Sequence, residues 1–193
     1  ATQVGGLSSS QLAGLTATSL GALESTDIAA LTVTQAKGFT STQLGLLDTT
    51  QFAALTGTQL SGLSATQVAG LTTTQVTALT TTQVSNLGTT PLNALTTNQF
   101  AAMNSAQLGA LTTTQVAALE TADLVAIGSS GIRAWNSVQI GALGTDQIVA
   151  LTSAQVGALA SNQIGNLTSA QIGAIETGDL RALGTGTIRA LST

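Results

Sequence analysis

The sequence predicts an all-α solenoid, a superhelix in which one short capped helix starts in every eight-residue repeat, with a β-solenoid as the alternative. Three observations predict it. An apolar residue returns at every eighth position from Leu7 to Leu191, twenty-four times, with no insertion or deletion. The next residue is Ser, Thr, Asp, Asn or Gly in 20 of 24 octads, and the position three places further on, which recurs 24 times from residue 3 to residue 187, holds Gln in 17. The residue before the apolar position is Ala or Gly in 21 of 24, with Leu46, Asn86 and Asn166 as the exceptions.

The stretch Leu111–Leu119, LTTTQVAAL, carries the whole pattern. With Thr112 as N-cap, Gln115 falls at N3, which is a capping box: the threonine oxygen accepts from the N3 amide while the glutamine side chain reaches back to the N-cap amide. Leu111 and Val116 then occupy N′ and N4, the two halves of a hydrophobic staple. Thr72 with Gln75 and Thr80 with Gln83 repeat the arrangement. A continuous α-helix fails, because eight residues at 3.6 per turn rotate each apolar position about 80° from its predecessor and smear the stripe around the helix. A single long strand fails too, since Leu111 and Val116 are five apart and point to opposite faces. A helix of about six residues is too short to stand alone in water, so each must pack against others, and the small residue before each Leu allows close approach. Stability then accumulates repeat by repeat.

Taken in order, Leu7–Leu23 sets the pattern, with Ser19 in place of glutamine. Leu47–Leu87 is the most regular region. Pro91 replaces a glutamine at a first-turn position, where proline costs no intrahelical hydrogen bond, so the array continues through it. At Gly128–Gly131, GSSG replaces the usual cap region and predicts a looser turn. No linker is visible, and residues 1–193 are expected to form one continuous array of 24 octads. Residue 1 enters partway through an octad and neither end has a polar capping repeat, so the chain is expected to be a piece of something longer, prone to end-to-end or lateral association.

The few charges are ordered. Three octads carry two acids each: Glu24 with Asp27, Glu120 with Asp123, and Glu176 with Asp179. Ten residues after each Asp stands a cation, Lys37, Arg133 or Arg189, and only Arg181 lies outside this scheme. The expectation is a set of solvated inter-repeat ion pairs, Asp27 with Lys37, Asp123 with Arg133 and Asp179 with Arg189, worth about 0–1 kcal/mol each. Calcium fits poorly, because two carboxylates three residues apart supply too few of the 6–8 oxygens it takes. Glycoside hydrolysis needs two acids flanking a sugar-sized cleft, for which a narrow solenoid has no evident place. Phe39 and Trp135 replace the repeating Leu in two cation-bearing octads and read as core filling or as a local groove.

Composition removes most chemistry. With no histidine, cysteine or tyrosine in 193 residues, there is no imidazole base, thiol nucleophile or zinc ligand pair. No catalytic, cofactor-binding or metal residues are therefore expected, and no enzyme. A thinly spread net charge of -4 gives no basic surface for nucleic acid. Thr, Ser or Gln interrupts every apolar run well before the roughly 18 residues that a membrane helix needs.

The units LTTTQVAAL, LETADL and LTSAQVGAL resemble the octad arrays of very large exported bacterial proteins described as adhesin-like, haemagglutinin-like, or haem utilisation or adhesion proteins. The resemblance covers the whole chain but is one of repeats and not of a catalytic family. It implies an extracellular or cell-surface stalk, spacer or fibre-forming segment. It brings no haem site, since no histidine can serve as axial ligand. The L-T-x-x-Q-V opening is also similar to the DNA-binding repeats of TAL effectors, but their longer period and basic charge are missing here. A binding module using a regular Thr-rich face, for ice, a glycan or a host surface, is the alternative, although the cap threonines are committed to backbone amides.

Overall fold

The computed structural model describes residues 4–191. It is helical throughout, with no strand among the described residues, so the helical reading holds over the β-solenoid. The chain divides into two compact units, Ala1–Ala102 and Met103–Thr193.

Local chemistry starts and stops each helix. At Thr72 the backbone is extended (φ −77°, ψ 154°), and its Oγ1 accepts from the Gln75 amide at 3.1 Å. In return the Thr72 amide donates to Gln75 Oε1 at 2.9 Å. The helix runs Thr73–Ala78 and ends at Leu79, which is extended again (φ −60°, ψ 133°). Thr80 is extended in its turn (φ −72°, ψ 158°) and caps the next helix. Two extended residues in succession thus make a corner, and the octad becomes one side plus one corner.

In the first unit a 3-10 turn at Val4–Gly6 precedes α1 (Ser9–Ala13), α2 (Ala17–Gly21), α3 (Ser25–Ala30), α4 (Val33–Ala36), α5 (Ser41–Leu46), α6 (Thr49–Ala53), α7 (Gly57–Ser61), α8 (Ala65–Ala69), α9 (Thr73–Ala78), α10 (Thr81–Asn86), α11 (Thr89–Asn93) and α12 (Thr97–Ala102). Each helix packs against the one three places along. This sorts them into three sides: α1, α4, α7 and α10; α2, α5, α8 and α11; α3, α6, α9 and α12. One turn is three octads, or 24 residues.

The second unit contains α13 (Ser105–Gly109), α14 (Thr113–Ala118), α15 (Thr121–Ala126), α16 (Gly128–Ala134), α17 (Ser137–Gly141), α18 (Thr145–Ala150), α19 (Ser153–Gly157), α20 (Ser161–Ile164), α21 (Ser169–Ala174), α22 (Thr177–Leu180) and α23 (Thr185–Ala190). Its three sides are α13, α16, α19 and α22; α14, α17, α20 and α23; α15, α18 and α21. Both units are therefore three-sided helical solenoids with the same turn.

The burial pattern within an octad is uniform. In Leu71–Ala78 the Leu, Gln and Val are buried while Thr72, Thr73 and Thr74 are exposed. The apolar columns fill the interior, where Leu44, Phe52, Val76 and Phe100 are wholly enclosed, each such side chain contributing about 1.5–3 kcal/mol. Small residues govern the approach of successive turns. A Cβ on Gly70 would lie 2.6 Å from Ser41 Cβ on the neighbouring turn.

The GSSG segment differs from the expected loose turn. Ile127 is αR (φ −68°, ψ −14°) and joins α15 directly to α16, which at seven residues is the longest helix described. Gly128 supplies the one positive φ among the described residues, 63°, a conformation glycine adopts without steric cost. Gly131 is needed for space, since a Cβ there would come within 2.9 Å of Leu108 Cδ1. Pro91 lies within α11, and that helix is formed.

Candidate functional site

The feature that organises both units is the glutamine column. All 17 glutamines of the chain stand at one octad position, and none of its three glutamates does. At each box the glutamine Oε1 accepts from the cap amide. Distances are 2.7 Å from Thr80 to Gln83 and 2.7 Å from Thr112 to Gln115, with return bonds from Gln83 and Gln115 amides to the threonine Oγ1 of 3.2 Å each. Where the cap has no hydroxyl, half the box survives: Gly144 donates to Gln147 Oε1 at 2.8 Å and Ala160 to Gln163 Oε1 at 2.7 Å.

The other end of the side chain works across turns. Gln75 Nε2 donates to Leu44 O at 2.7 Å and to Leu47 O at 2.8 Å. Gln59 reaches Ile28 O and Leu31 O at 3.0 and 2.6 Å, and in the second unit Gln147 reaches Val116 O and Leu119 O at 3.0 and 2.8 Å. The targets lie 28 and 31 residues back, at the corner of the preceding turn. Those 31 back also accept the amide three residues on in their own turn, as Leu44 O does from Leu47 at 3.2 Å, whereas those 28 back, such as Leu47 O, are carbonyls that a short helix leaves without a backbone partner at its C-terminus. One amide thus closes a helix start in its own turn and a helix end in the turn before it. A glutamate could close the box but could not donate, which explains why the column holds Gln and never Glu.

Side chains other than glutamine supply fragments of this chemistry, in the empty slots of the column and beside it. Trp135 is buried in the core, and its Nε1 donates to Leu108 O at 2.9 Å, while Gln139 takes Gly109 O and Leu111 O. Thr187 Oγ1 donates to Leu159 O at 3.4 Å. Asp179, buried in the same column, accepts from Ser153 Oγ at 2.5 Å. Asp123 is 4% exposed, and burial, aided by the charge of Glu120, pushes its carboxyl up from 3.8 to about 6.

Burial also decides the fate of the charged pairs. Asp27 is half-buried and accepts from the Glu24 amide at 3.2 Å, while Asp123 and Asp179 face the interior. Lys37, Arg133 and Arg189, each two places after the inward-facing position, are exposed. Among the described residues no ion pair within 4.0 Å joins Asp27 to Lys37, Asp123 to Arg133 or Asp179 to Arg189. The ten-residue spacing connects an inward slot to an outward one, so sequence separation alone was a poor guide to contact.

Shallow grooves recur at one place in the repeat, where the corner of one turn meets the next. One of about 620 Å³ is bordered by Lys37, Phe39, Gly62 and Thr66. Another, of about 320 Å³, has Arg133, Trp135, Ala158 and Asn162 at the corresponding positions, 96 residues later. A third, of about 540 Å³, carries Glu120 and Asp146. No group of three or more His, Cys, Asp or Glu able to hold a metal is present among the described residues, and no helix is long and apolar enough to cross a membrane.

Capped helix, 24-residue turn and glutamine ladder together define a helical repeat protein of the solenoid class. The model of the ALTTAQ repeat matches residues 20–57, 58–89, 84–121, 116–153 and 172–193. The chain belongs to the ALTTAQ repeat family. No curated protein matches it.

Proposed function

We propose that the chain is a structural segment, a stalk, spacer or fibre-forming part of an exported bacterial surface protein, acting outside the cell or at its surface and without catalysis, with its 24 octads in one array. The observation that carries this reading is the ladder. Each turn presents to the next the same carbonyls that it has itself capped in the turn before, so turns can be added without changing the chemistry of the body. Repetition then sets length. The resemblance of the octads to arrays in adhesin-like and haemagglutinin-like proteins supports the location, and the sparse charge suits a surface that resists nonspecific contact. Deleting Leu47–Gly70, one full turn, tests it. The expected outcome is a decrease of about 8–10 Å, one helix-to-helix spacing, in the maximum dimension measured by small-angle scattering, with helix content per residue unchanged. Loss of helix content on that deletion would refute the spacer.

A second reading is favoured by one surface feature. The third side carries an unbroken exposed run of hydroxyls one place after the cap, Thr49, Thr73 and Thr97 in the first unit and Thr121, Thr145 and Ser169 in the second. These are not the cap residues, so their hydroxyls are not spent on the boxes, and a regular array of this kind suits an ordered ligand such as ice. A thermal hysteresis assay decides it, and no hysteresis at millimolar protein ends that reading.

A further inference from the structure

We propose that the acidic edge of one copy of this chain docks on the cationic edge of a second copy. The inference rests on the fibre-forming part of the proposed function and names the surfaces that would do it. In the first unit the exposed Glu24 and Asp48 are the N-caps of α3 and α6, at the edge where the second side gives way to the third. The exposed Lys37 is the C-cap of α4, at the edge between the first and second sides. In the second unit Glu120 and Arg133 hold the same places, while Glu176 caps α22 on the first side and Arg189 lies in the last turn of α23 on the second. Glu120 caps α15 on the third side, and Arg133 lies in the last turn of α16 on the first.

Three residues of the first set recur at a spacing of 96, four times 24, while Asp48 has Gly144 in the corresponding place. Glu24 answers to Glu120, Lys37 to Arg133 and Phe39 to Trp135. These substitutions are rare in the array: the repeating apolar position is aromatic only at Phe39 and Trp135, and the chain has four cations in all. Within one unit a whole side of the solenoid separates the two edges, and neither Lys37 nor Arg133 forms an ion pair among the described residues. The unmatched charges of each sign are thus available to another molecule, and the same chain carries both.

A second copy is the fitting occupant for this reason and one more. The exposed residues between the edges are mostly Thr, Ser, Ala and Gly, which lose little rotamer freedom when covered. They let two bodies lie close, while the charges set register and orientation. Acid edge to cation edge is a heterologous contact, which leaves a free edge of each kind and so continues into an open array instead of a closed dimer.

Sedimentation velocity of the full chain tests this with K37E/R133E, with E24K/E120K, and with an equimolar mixture of the two. E24Q/E120Q, with helix content checked by circular dichroism, serves in case lysine at a helix start unsettles the fold. Wild type should associate at low salt and dissociate in about 0.5 M NaCl, where charges are screened beyond a few ångströms. Each variant alone should associate at least tenfold more weakly, and the mixture should recover association because every edge again finds its opposite. Variants that assemble like wild type, or a mixture no better than its components, overturn the docking surfaces and leave self-association standing. Wild type that stays monomeric at both salts overturns the docking and the fibre-forming reading together.

Discussion

Replacing Gln75 by Glu changes one atom of consequence. The Nε2 that donates to Leu44 O and Leu47 O at 2.7 and 2.8 Å becomes a carboxylate oxygen facing the same two acceptors. Gln75 is 2% exposed, so water does not replace the lost donors. Leaving a buried polar group unpaired costs about 1–3 kcal/mol; Leu44 O keeps the Leu47 amide at 3.2 Å, so the loss is that of one carbonyl, Leu47 O, before the buried charge is counted. The carboxyl answers by binding a proton, since the acid form regains one O–H donor. Its pKa in the folded state should therefore lie above the ordinary glutamate value of about 4.3. The folded state then binds more protons than the unfolded one, so stability is highest below about pH 4 and falls, by up to about 1.4 kcal/mol per pH unit, as pH rises towards the folded-state pKa. Urea unfolding followed by circular dichroism at pH 4 and pH 7 measures both effects. A Q75E protein as stable as wild type at pH 7 would refute the role of the ladder, and a loss equal at both pH values would refute the carbonyl-facing geometry.

Thr112→Ala removes the forward half of a box but leaves the glutamine bond to the cap amide, as at Ala160, so it should cost about 1 kcal/mol in the same assay, and Thr112→Ser almost nothing. Asp123 offers a native titration: with its carboxyl raised from 3.8 to about 6, its contribution is complete below pH 3.8 and is lost as pH rises through 6. Asp123→Asn should flatten that part of the stability–pH curve, read as the unfolding midpoint between pH 4 and pH 7. Gly131→Ala places a methyl 2.8 Å from Ile127 Cβ and should lower stability by about 1–3 kcal/mol. Gly173→Ala within α21 meets nothing within 4 Å and should raise it by about 0.5–1 kcal/mol; thermal melts of the two variants should move in opposite directions.

Much of the fold could be read from the chain. Thr112 and Gln115, or Thr72 and Gln75, lie within four residues of each other, so the box follows from spacing and side-chain chemistry. Alternate burial of Leu and Val within an octad followed for the same reason. The inter-turn half of the glutamine's work was missed, although a signal was present. A box accepts Glu or Gln at N3, and a column that takes glutamine 17 times and glutamate never requires an amide donor for something beyond the box. The charged octads misled in the opposite way, because the regular Asp-to-cation spacing resembles pairing until burial places Asp123 inside and Arg133 outside.

By itself, then, the sequence determined where the capped helices begin and which residues turn inward, α16 excepted, because caps, staples and apolar spacing act over a few bonds. The tertiary structure alone decided that three octads make a turn and that Gln75 meets Leu44 and Leu47. A period of eight is the same string whether two, three or four octads close a turn. Only the packing of apolar columns and the partnering of corner carbonyls 28 to 31 residues away select among them.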